Sequence, residues 1–213
     1  FVYIIINSNI QKLNLLKNLV EEESKLRLME VEKNRDTEIL LAELQHRLKN
    51  NLSLLSSLLK IKLENINDDN YHLAFKESIH AIQTVAQANN FQKFDKDRLI
   101  VPISAYIHEV NEYWGQLLKD YPISNKPVLT AHECFMNVKQ AIPLGLIIHE
   151  VISLYWFRCL ESDRAHQLKI EIKPTEQVVR VCFISDIEQL LSLNVAKEMI
   201  IHALIEQVDG KFT

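Results

Sequence analysis

The chain has 213 residues, of which 47% are hydrophobic, enough for two modest domains or for one domain with a long helical arm. Its formal net charge of −4 argues against a nucleic-acid binder, for which we expect a basic surface. The cysteines, Cys134, Cys159 and Cys182, are widely spaced and form no metal-ligand pattern. We therefore expect reduced, buried thiols in a cytosolic protein.

The N-terminal part of the chain is predicted to be helical. Residues Phe1–Ile6 are apolar but too few to span a bilayer, which takes about 20 residues. They fit the end of a transmembrane helix, the exit from an upstream sensor domain, or an ordinary apolar helix start. From Asn7 to about Asn65, apolar residues at helical spacing predict one long helix that resembles a coiled coil.

One turn of this helix carries residues suited to phosphoryl chemistry. A leucine stripe runs along the helix at steps of three or four residues: Leu41, Leu44, Leu48, Leu52, Leu55 and Leu59. At roughly 100° per residue, His46 falls nearly opposite the stripe, and Asn50 lies one turn further on the same face. A neutral imidazole is a nucleophile, and the flanking Arg47 and Lys49 would attract a phosphoryl group.

The run His46-Arg-Leu-Lys-Asn-Asn-Leu52 resembles a known kinase motif. It is similar to the H-box of the sensor histidine kinases that read His-Arg-x-Lys-Asn-Asn, a subfamily related to the HWE kinases. That resemblance implies that His46 is the phospho-acceptor and that the partner is the receiver domain of a response regulator. The family often has a second histidine just before the first, where this chain has Gln45.

Two neighbours of His46 have proposed roles. Glu43 could orient the His46 ring by accepting an N–H hydrogen bond, although a solvated glutamate is an equally good interpretation. Asn50 could position a water that hydrolyses phosphohistidine, as the equivalent residue does in related kinases.

A helical hairpin is predicted around these residues. Four Asn and Asp side chains between Asn65 and Asn70 favour a turn, and a second helix is predicted from about Tyr71 to Phe94. One hairpin cannot cover the leucine stripe on both sides, so we expect a homodimer that forms a four-helix bundle. We divide the chain into a signalling helix (1–35), a dimerisation and phosphotransfer hairpin (36–94) and a third domain (95–213).

The third domain is predicted to be an α+β sandwich. Asp95–Arg98 reads as a charged linker. Helices are predicted over Ile103–Lys119, Pro143–Leu160 and Asn194–Val208. Strands are predicted over Pro127–Thr130, Glu133–Val138, Leu168–Lys173 and Gln177–Ser185, the last two as a hairpin in a mixed sheet. Asp209-Gly210 is expected to cap the last helix, and another strand is expected from Lys211.

This domain resembles the Bergerat-type ATP-binding domain of the same kinases. Ala141–Ile148 is similar to the lead into the family's N-box, and Ala203–Phe212 is similar to its final helix and strand. The N-box reads Asn-Glu-x-x-x-Asn, and its asparagines hold magnesium and phosphates. Here His149 and Leu154 replace both asparagines, and Glu150 is retained.

The glycines expected around the nucleotide are also replaced. The family's Asp-x-Gly-x-Gly falls on Asp186–Leu190, so the adenine-reading Asp186 remains and both glycines are absent. Residues Ser192–Lys197, where a later glycine turn is expected, contain none. Glycine lets backbone N–H groups approach phosphate closely, and without these glycines nucleotide binding is not expected. Glu150 and Asp186 would then be remnants of an ATP site. A lid segment that is not part of this sequence would explain the missing glycines, but not His149 and Leu154.

The remaining histidines are scattered without ligand spacing. We interpret them as surface or core residues: His80, His108, His132, His166 and His202. For His149 we favour a helix-packing role over coordination.

Three functions fit this sequence. The first is a two-component phosphotransfer protein in which His46 exchanges a phosphoryl group with a response regulator, without ATP or another cofactor. The second is an active histidine kinase that uses ATP and magnesium in an atypical site. The third is a pseudokinase that scaffolds or transmits a signal. The intact acceptor motif and the altered ATP motif favour the first or the third. We expect a cytoplasmic protein, or the cytosolic part of a membrane-anchored sensor.

Overall fold

The computed structural model describes residues 2–63, 69–95, 98–117, 125–162 and 165–211. Within these ranges the chain forms α-helices at Val2–Leu63 (α1), Asp69–Asn90 (α2), Ile103–Leu117 (α3), Val138–Glu161 (α4) and Val195–Gln207 (α5). The strands are Lys93–Asp95 (β1), Arg98–Pro102 (β2), Val128–Ala131 (β3), Phe135–Asn137 (β4), Leu168–Pro174 (β5) and Val179–Ser185 (β6). A short 3₁₀ helix covers Leu190–Leu193. The predicted α+β class is confirmed.

Two compact units make up the chain, residues 1–47 and residues 48–213. The described part of the first unit is helical, as predicted, and its side chains are largely exposed. Ion pairs one turn apart support the helix, among them Arg27 with Glu23 at 2.6 Å. The helix also exposes many leucines, such as Leu16 and Leu44, which are 61% and 62% exposed.

In the second unit, α2, α3 and α4 pack around one apolar core. The largest buried side chains include Trp114 and Tyr106 from α3 and Tyr155 from α4. The Tyr106 hydroxyl donates to the carbonyl of Thr84 at 3.0 Å, which joins α3 to α2. The predicted second helix is confirmed, although it ends at Asn90; the predicted turn lies largely outside the described residues.

Helix α4 begins five residues before the predicted start at Pro143. The cause is an N-cap: the Asn137 side chain accepts a hydrogen bond from the backbone N–H of Gln140 at 3.0 Å. Pro143 lies in the second turn and is tolerated inside the helix. Of the described helices, α4 is apolar and long enough to cross a membrane, but 72% of its most apolar window is buried in the fold.

The described strands form two three-stranded sheets, so the predicted mixed sheet is confirmed only in part: β4, predicted to belong to it, lies in the other sheet. One sheet is antiparallel, in the order β1-β2-β4. The other has the order β3-β5-β6, with β3 parallel and β6 antiparallel to β5. The predicted charged linker Asp95–Arg98 is wrong, because Asp95 and Arg98 pair with each other across the β1/β2 hairpin.

The predicted β5/β6 hairpin is confirmed, with Leu168 opposite Ser185. Leu168, Ile170 and Ile172 point into the core, and the intervening residues carry charge. At the end of α5, the backbone N–H of Gly210 donates to the Ile205 carbonyl at 2.9 Å, as a helix cap does.

Within this cap, Asp209 is the left-handed residue, with φ of 52°. Lys211 lies outside any strand, and the rest of the predicted final strand lies outside the described residues. The four-helix bundle and the boundaries at residues 35 and 94 stay predictions.

Candidate functional site

His46 lies on the exposed surface of α1. One turn before it, Glu43 accepts a hydrogen bond from Arg47 Nε at 2.7 Å. The Arg47 guanidinium lowers the pKa of the Glu43 carboxyl, and the His46 imidazole lowers it further. Glu43 is therefore ionised near neutral pH, and part of the positive charge of Arg47 is offset by it. Lys49 and Asn50 are exposed residues further along α1.

The replaced N-box residues are buried in α4. His149 is fully buried and Leu154 is 3% exposed. His149 Nδ1 lies 2.9 Å from Nδ1 of His80 on α2. The His80 ring stacks on Tyr113 at 4.4 Å and meets the edge of Trp114 at 4.9 Å. The helix-packing interpretation of His149 and the core interpretation of His80 agree with this arrangement.

Both histidines of this pair are neutral. Burial lowers the pKa of His80 to about 3, while a hydrogen bond to the Val110 carbonyl acts in the opposite direction. Burial also holds the pKa of His149 well below its usual range, and the neighbouring His80 and Lys197 lower it further. These partners indicate the tautomers: His80 donates to Val110 and accepts from His149 Nδ1–H. His149 Nε2 is then a buried acceptor.

Glu150, the retained N-box residue, is held by a lysine from α5. Lys197 Nζ donates to Glu150 Oε2 at 2.9 Å and to Ser153 Oγ at 2.8 Å. The same ammonium contacts Glu77 of α2, and Ser153 donates to that carboxylate as well. Lys197 also lies 5.6 Å from the centre of the Phe157 ring. Three helices thus meet at one ammonium.

Asp186, the residue expected to contact adenine, is hydrogen-bonded to groups of the protein itself. Its Oδ1 accepts from the backbone N–H of Gln167 at 2.7 Å, and its Oδ2 lies 3.4 Å from Nδ1 of His166. The Gln167 bond and then the His166 contacts lower the pKa of the Asp186 carboxyl. The His166 carbonyl accepts from the Tyr155 hydroxyl at 2.9 Å. Asp186 therefore fastens β6 to the start of β5.

The two expected glycine positions carry side chains with opposite exposure. Glu188 is exposed, while Leu190 is 8% exposed and begins the 3₁₀ helix. Between them, Gln189 adopts a left-handed conformation with φ of 51°. Neither replaced residue offers the close backbone approach that glycine gives.

The sequence pattern missed several residues of this region. The sequence analysis names Glu150 and Asp186 but gives no role beside them to Lys197 and His166, nor to Glu77, which contacts Lys197. The signal for these residues is weak, because nothing marks a lone lysine at the start of α5. Among the described residues, no group of three or more His, Cys, Asp or Glu side chains is arranged to hold a metal ion. The three cysteines are free and partly buried.

The histidine kinase family model HisKA_2 matches residues 43–117, which run from the turn before His46 to the end of α3. The match spans 75 of the 213 residues, and it agrees with the resemblance that the H-box indicated. It supports, in general, a role in two-component signalling. A comparison with curated proteins finds no match.

Solved structures share the fold. The histidine kinase domain of the EL346 blue-light activated histidine kinase from Erythrobacter litoralis superposes with a TM-score of 0.50 and 21% identity. That match covers 78% of this chain and 80% of the other. A structure of the EL346 kinase itself gives a TM-score of 0.52 and 18% identity over 81% of this chain and 57% of the other. At this identity the likeness concerns the fold.

The buried histidine pair predicts acid sensitivity. Below pH 6.5 the unfolded chain binds a proton at His80 and at His149, while the folded protein does not. Between pH 7 and pH 5 the free energy of unfolding should therefore fall by about 2 kcal/mol for each of the two. Urea unfolding at a series of pH values measures this slope.

The exposed His108 offers a matched control for the slope. His108→Asn should leave the pH dependence unchanged, whereas a flat profile of the parent protein between pH 7 and pH 5 would contradict two neutral, buried histidines.

Proposed function

We propose that this chain is a two-component signalling protein that relays phosphoryl groups between His46 and a response-regulator aspartate without binding ATP. One observation carries the second half of the proposal. Glu150, the retained residue of the altered N-box, is paired with Lys197, whose Nζ lies 2.9 Å from Glu150 Oε2. A magnesium-nucleotide would have to displace this internal ammonium to use that carboxylate.

The rest of the nucleotide region supports the same conclusion. His149 and Leu154, at the positions of the two asparagines, are buried and offer no oxygen ligand. One carboxylate oxygen of Asp186 already accepts a hydrogen bond from the Gln167 N–H. Leu190 fills a position where a backbone N–H was expected to meet phosphate. The residues that the resemblance assigns to nucleotide contacts are thus either replaced or engaged in contacts within the protein.

The acceptor side is open to a partner. His46 is exposed on a helix, and Arg47 and Lys49 bring positive charge to the same turn. Phosphoryl transfer depends mainly on positioning and on charge stabilisation, much of which a docked receiver domain with its own magnesium ion can supply. The exposed surface around His46 is therefore suited to protein-to-protein transfer.

The transfer balances without another reactant. The unprotonated nitrogen of His46 attacks phosphorus of the regulator's aspartyl phosphate, a P–N bond forms, and the P–O bond to the aspartate breaks. The electron pair of that bond leaves with the aspartate carboxylate, and the magnesium ion of the receiver domain offsets its charge. The reverse step returns the phosphoryl group to the aspartate.

We propose that the acting form is a homodimer joined through residues 36–94. Leu44, Leu48 and Leu55 are 62%, 43% and 49% exposed in the single chain. Burying a leucine fully contributes about 1.5–3 kcal/mol, so a second hairpin laid on this stripe would stabilise the pair.

The first test concerns the acceptor. A receiver domain labelled with ³²P on its aspartate should transfer acid-labile label to the parent protein, and His46→Ala should remove nearly all of it, because the H-box resemblance identifies His46 as the acceptor. His202→Ala, at an exposed histidine of α5, is the matched control and should label normally.

Asn50→Ala should prolong the phosphorylated form several-fold if Asn50 positions the hydrolytic water. Equal labelling of the His46→Ala protein would move the acceptor elsewhere. Absence of label from every receiver domain tested would favour the scaffold function instead.

The second test concerns the nucleotide. Titration calorimetry with Mg-ATP should give no dissociation constant of 1 mM or tighter, a limit of roughly −4 kcal/mol in binding free energy. A micromolar dissociation constant would contradict the proposal and would favour the alternative, an active histidine kinase.

The third test concerns assembly. Sedimentation at micromolar concentration should give a dimer for the parent chain and a monomer for Leu48→Glu/Leu55→Glu, because both substitutions place charge on the stripe. Met199→Glu, at a residue of α5 that is 68% exposed, should leave the dimer intact. A monomeric parent chain would refute the proposed bundle.

A further inference from the structure

A small cleft lies between α2 and α3, next to His80. Its walls include Gln83, Thr84 and Gln87 of α2 and Glu109 and Tyr113 of α3. The cleft is partly open to solvent and leaves about 10 Å³ for the centre of a water-sized molecule. That space is enough for about one water molecule and too small for a larger ligand.

Two buried oxygen atoms on neighbouring residues of α2 have no hydrogen-bond partner within the described part of the chain. They are Gln83 Oε1 and Thr84 Oγ1, and both residues line the cleft. Thr84 is only 1% exposed, so bulk solvent does not reach its hydroxyl. Buried polar groups without a partner are costly, and in most folds they are bonded to the protein or to an ordered water.

Other polar groups of the cleft are already engaged. Both ring nitrogens of His80 are used, one by His149 and the other by the Val110 carbonyl. Burial raises the pKa of Tyr113, and a hydrogen bond from the Gln83 side chain acts in the opposite direction. That sign indicates that the Gln83 N–H donates to the Tyr113 oxygen, which leaves Gln83 Oε1 to accept from another donor.

The backbone of α2 does not satisfy the threonine. A helical threonine often donates to the carbonyl one turn earlier, as Thr37 does to Lys33 at 2.8 Å. Thr84 makes no such bond. Its hydroxyl therefore needs a partner from the cleft, and Gln83 Oε1 needs a donor. A water molecule can both donate and accept, so one molecule serves both atoms.

We propose that the cleft binds one ordered water molecule that donates to Gln83 Oε1 and is hydrogen-bonded to Thr84 Oγ1. Gln87 and Glu109, on the walls of the same cleft, carry polar groups that complete its hydrogen bonds. The water is then a structural part of the contact between α2 and α3.

This water makes Thr84 central to the joint between the two helices. The Thr84 carbonyl already accepts a direct hydrogen bond from the Tyr106 hydroxyl of α3 at 3.0 Å. The hydroxyl of the same residue adds a bond through water. Because α2 belongs to the predicted hairpin and α3 to the predicted third domain, the bound water joins these two parts of the chain.

The first test is a substitution that distinguishes a hydrated cleft from a dry one. Thr84→Val keeps the shape of the side chain and removes the hydroxyl. It should lower the melting temperature by roughly 3–6 °C, because the water loses a partner and meets a methyl group. In a dry cleft the same substitution removes an unpaired hydroxyl, so an unchanged or raised melting temperature would overturn the inference.

Thr37→Val is the matched control. It makes the same substitution at an exposed helical threonine, and it should change the melting temperature by less than about 2 °C. If one water serves both atoms, Gln83→Met/Thr84→Val should lose less than the sum of the two single variants. Losses that simply add would contradict a shared water.

A high-resolution crystal structure of the parent protein tests the site directly, even if Thr84→Val fails to fold. The expected result is density for one water within hydrogen-bonding distance of both Gln83 Oε1 and Thr84 Oγ1. No density there, or density for a larger molecule, would overturn the inference.

Discussion

The burial of α4 on nearly all sides is the constraint on which the second unit depends. Every residue from Val151 to Trp156 is buried, and α2, α3 and α5 all pack against this helix. An ionised group on such a helix is costly unless it is paired. His149 therefore stays neutral beside His80, and Glu150 lies against Lys197. His149 and Glu150, at positions of the expected nucleotide site, thus lie in contacts between helices, and we propose that these contacts replace nucleotide binding.

In the proposed function, the acceptor and the nucleotide region have different fates. His46 lies exposed on α1 and would receive phosphate from a partner. The polar groups and glycines expected around a nucleotide are here replaced or engaged in contacts within the fold, and we therefore propose that ATP is not bound.

Periodicity and turn residues in the sequence predicted the helices and strands that are determined by neighbouring residues. The long helix, the β5/β6 hairpin and α5 follow from periodicity and turn residues, and all three were found. The β1/β2 hairpin was predicted to be a linker because its strands are too short to give a local signal. They are stabilised by β4, a strand more than 30 residues later, whose Phe135 pairs with Pro102. The predicted start of α4 at Pro143 was five residues late, because the helix begins after the N-cap Asn137, which the sequence analysis assigns to a strand.

The contacts of the candidate site could not be predicted, for a different reason. Lys197 and Glu77 are 120 positions apart, and His80 and His149 are 69 apart. No period or spacing connects such residues; only the packing of helices brings them together. The H-box was recognisable because its residues are consecutive on one helix.

The central claim is that His46 receives phosphate from a regulator and not from ATP. The most direct measurement offers both donors to the same preparation: γ-³²P-ATP with Mg²⁺ in one reaction, and a ³²P-labelled receiver domain in the other, followed by mapping of acid-labile label by mass spectrometry. The account predicts label on His46 from the receiver domain and none above background from ATP. Label on His46 from ATP, with the receiver domain inactive as a donor, would contradict it.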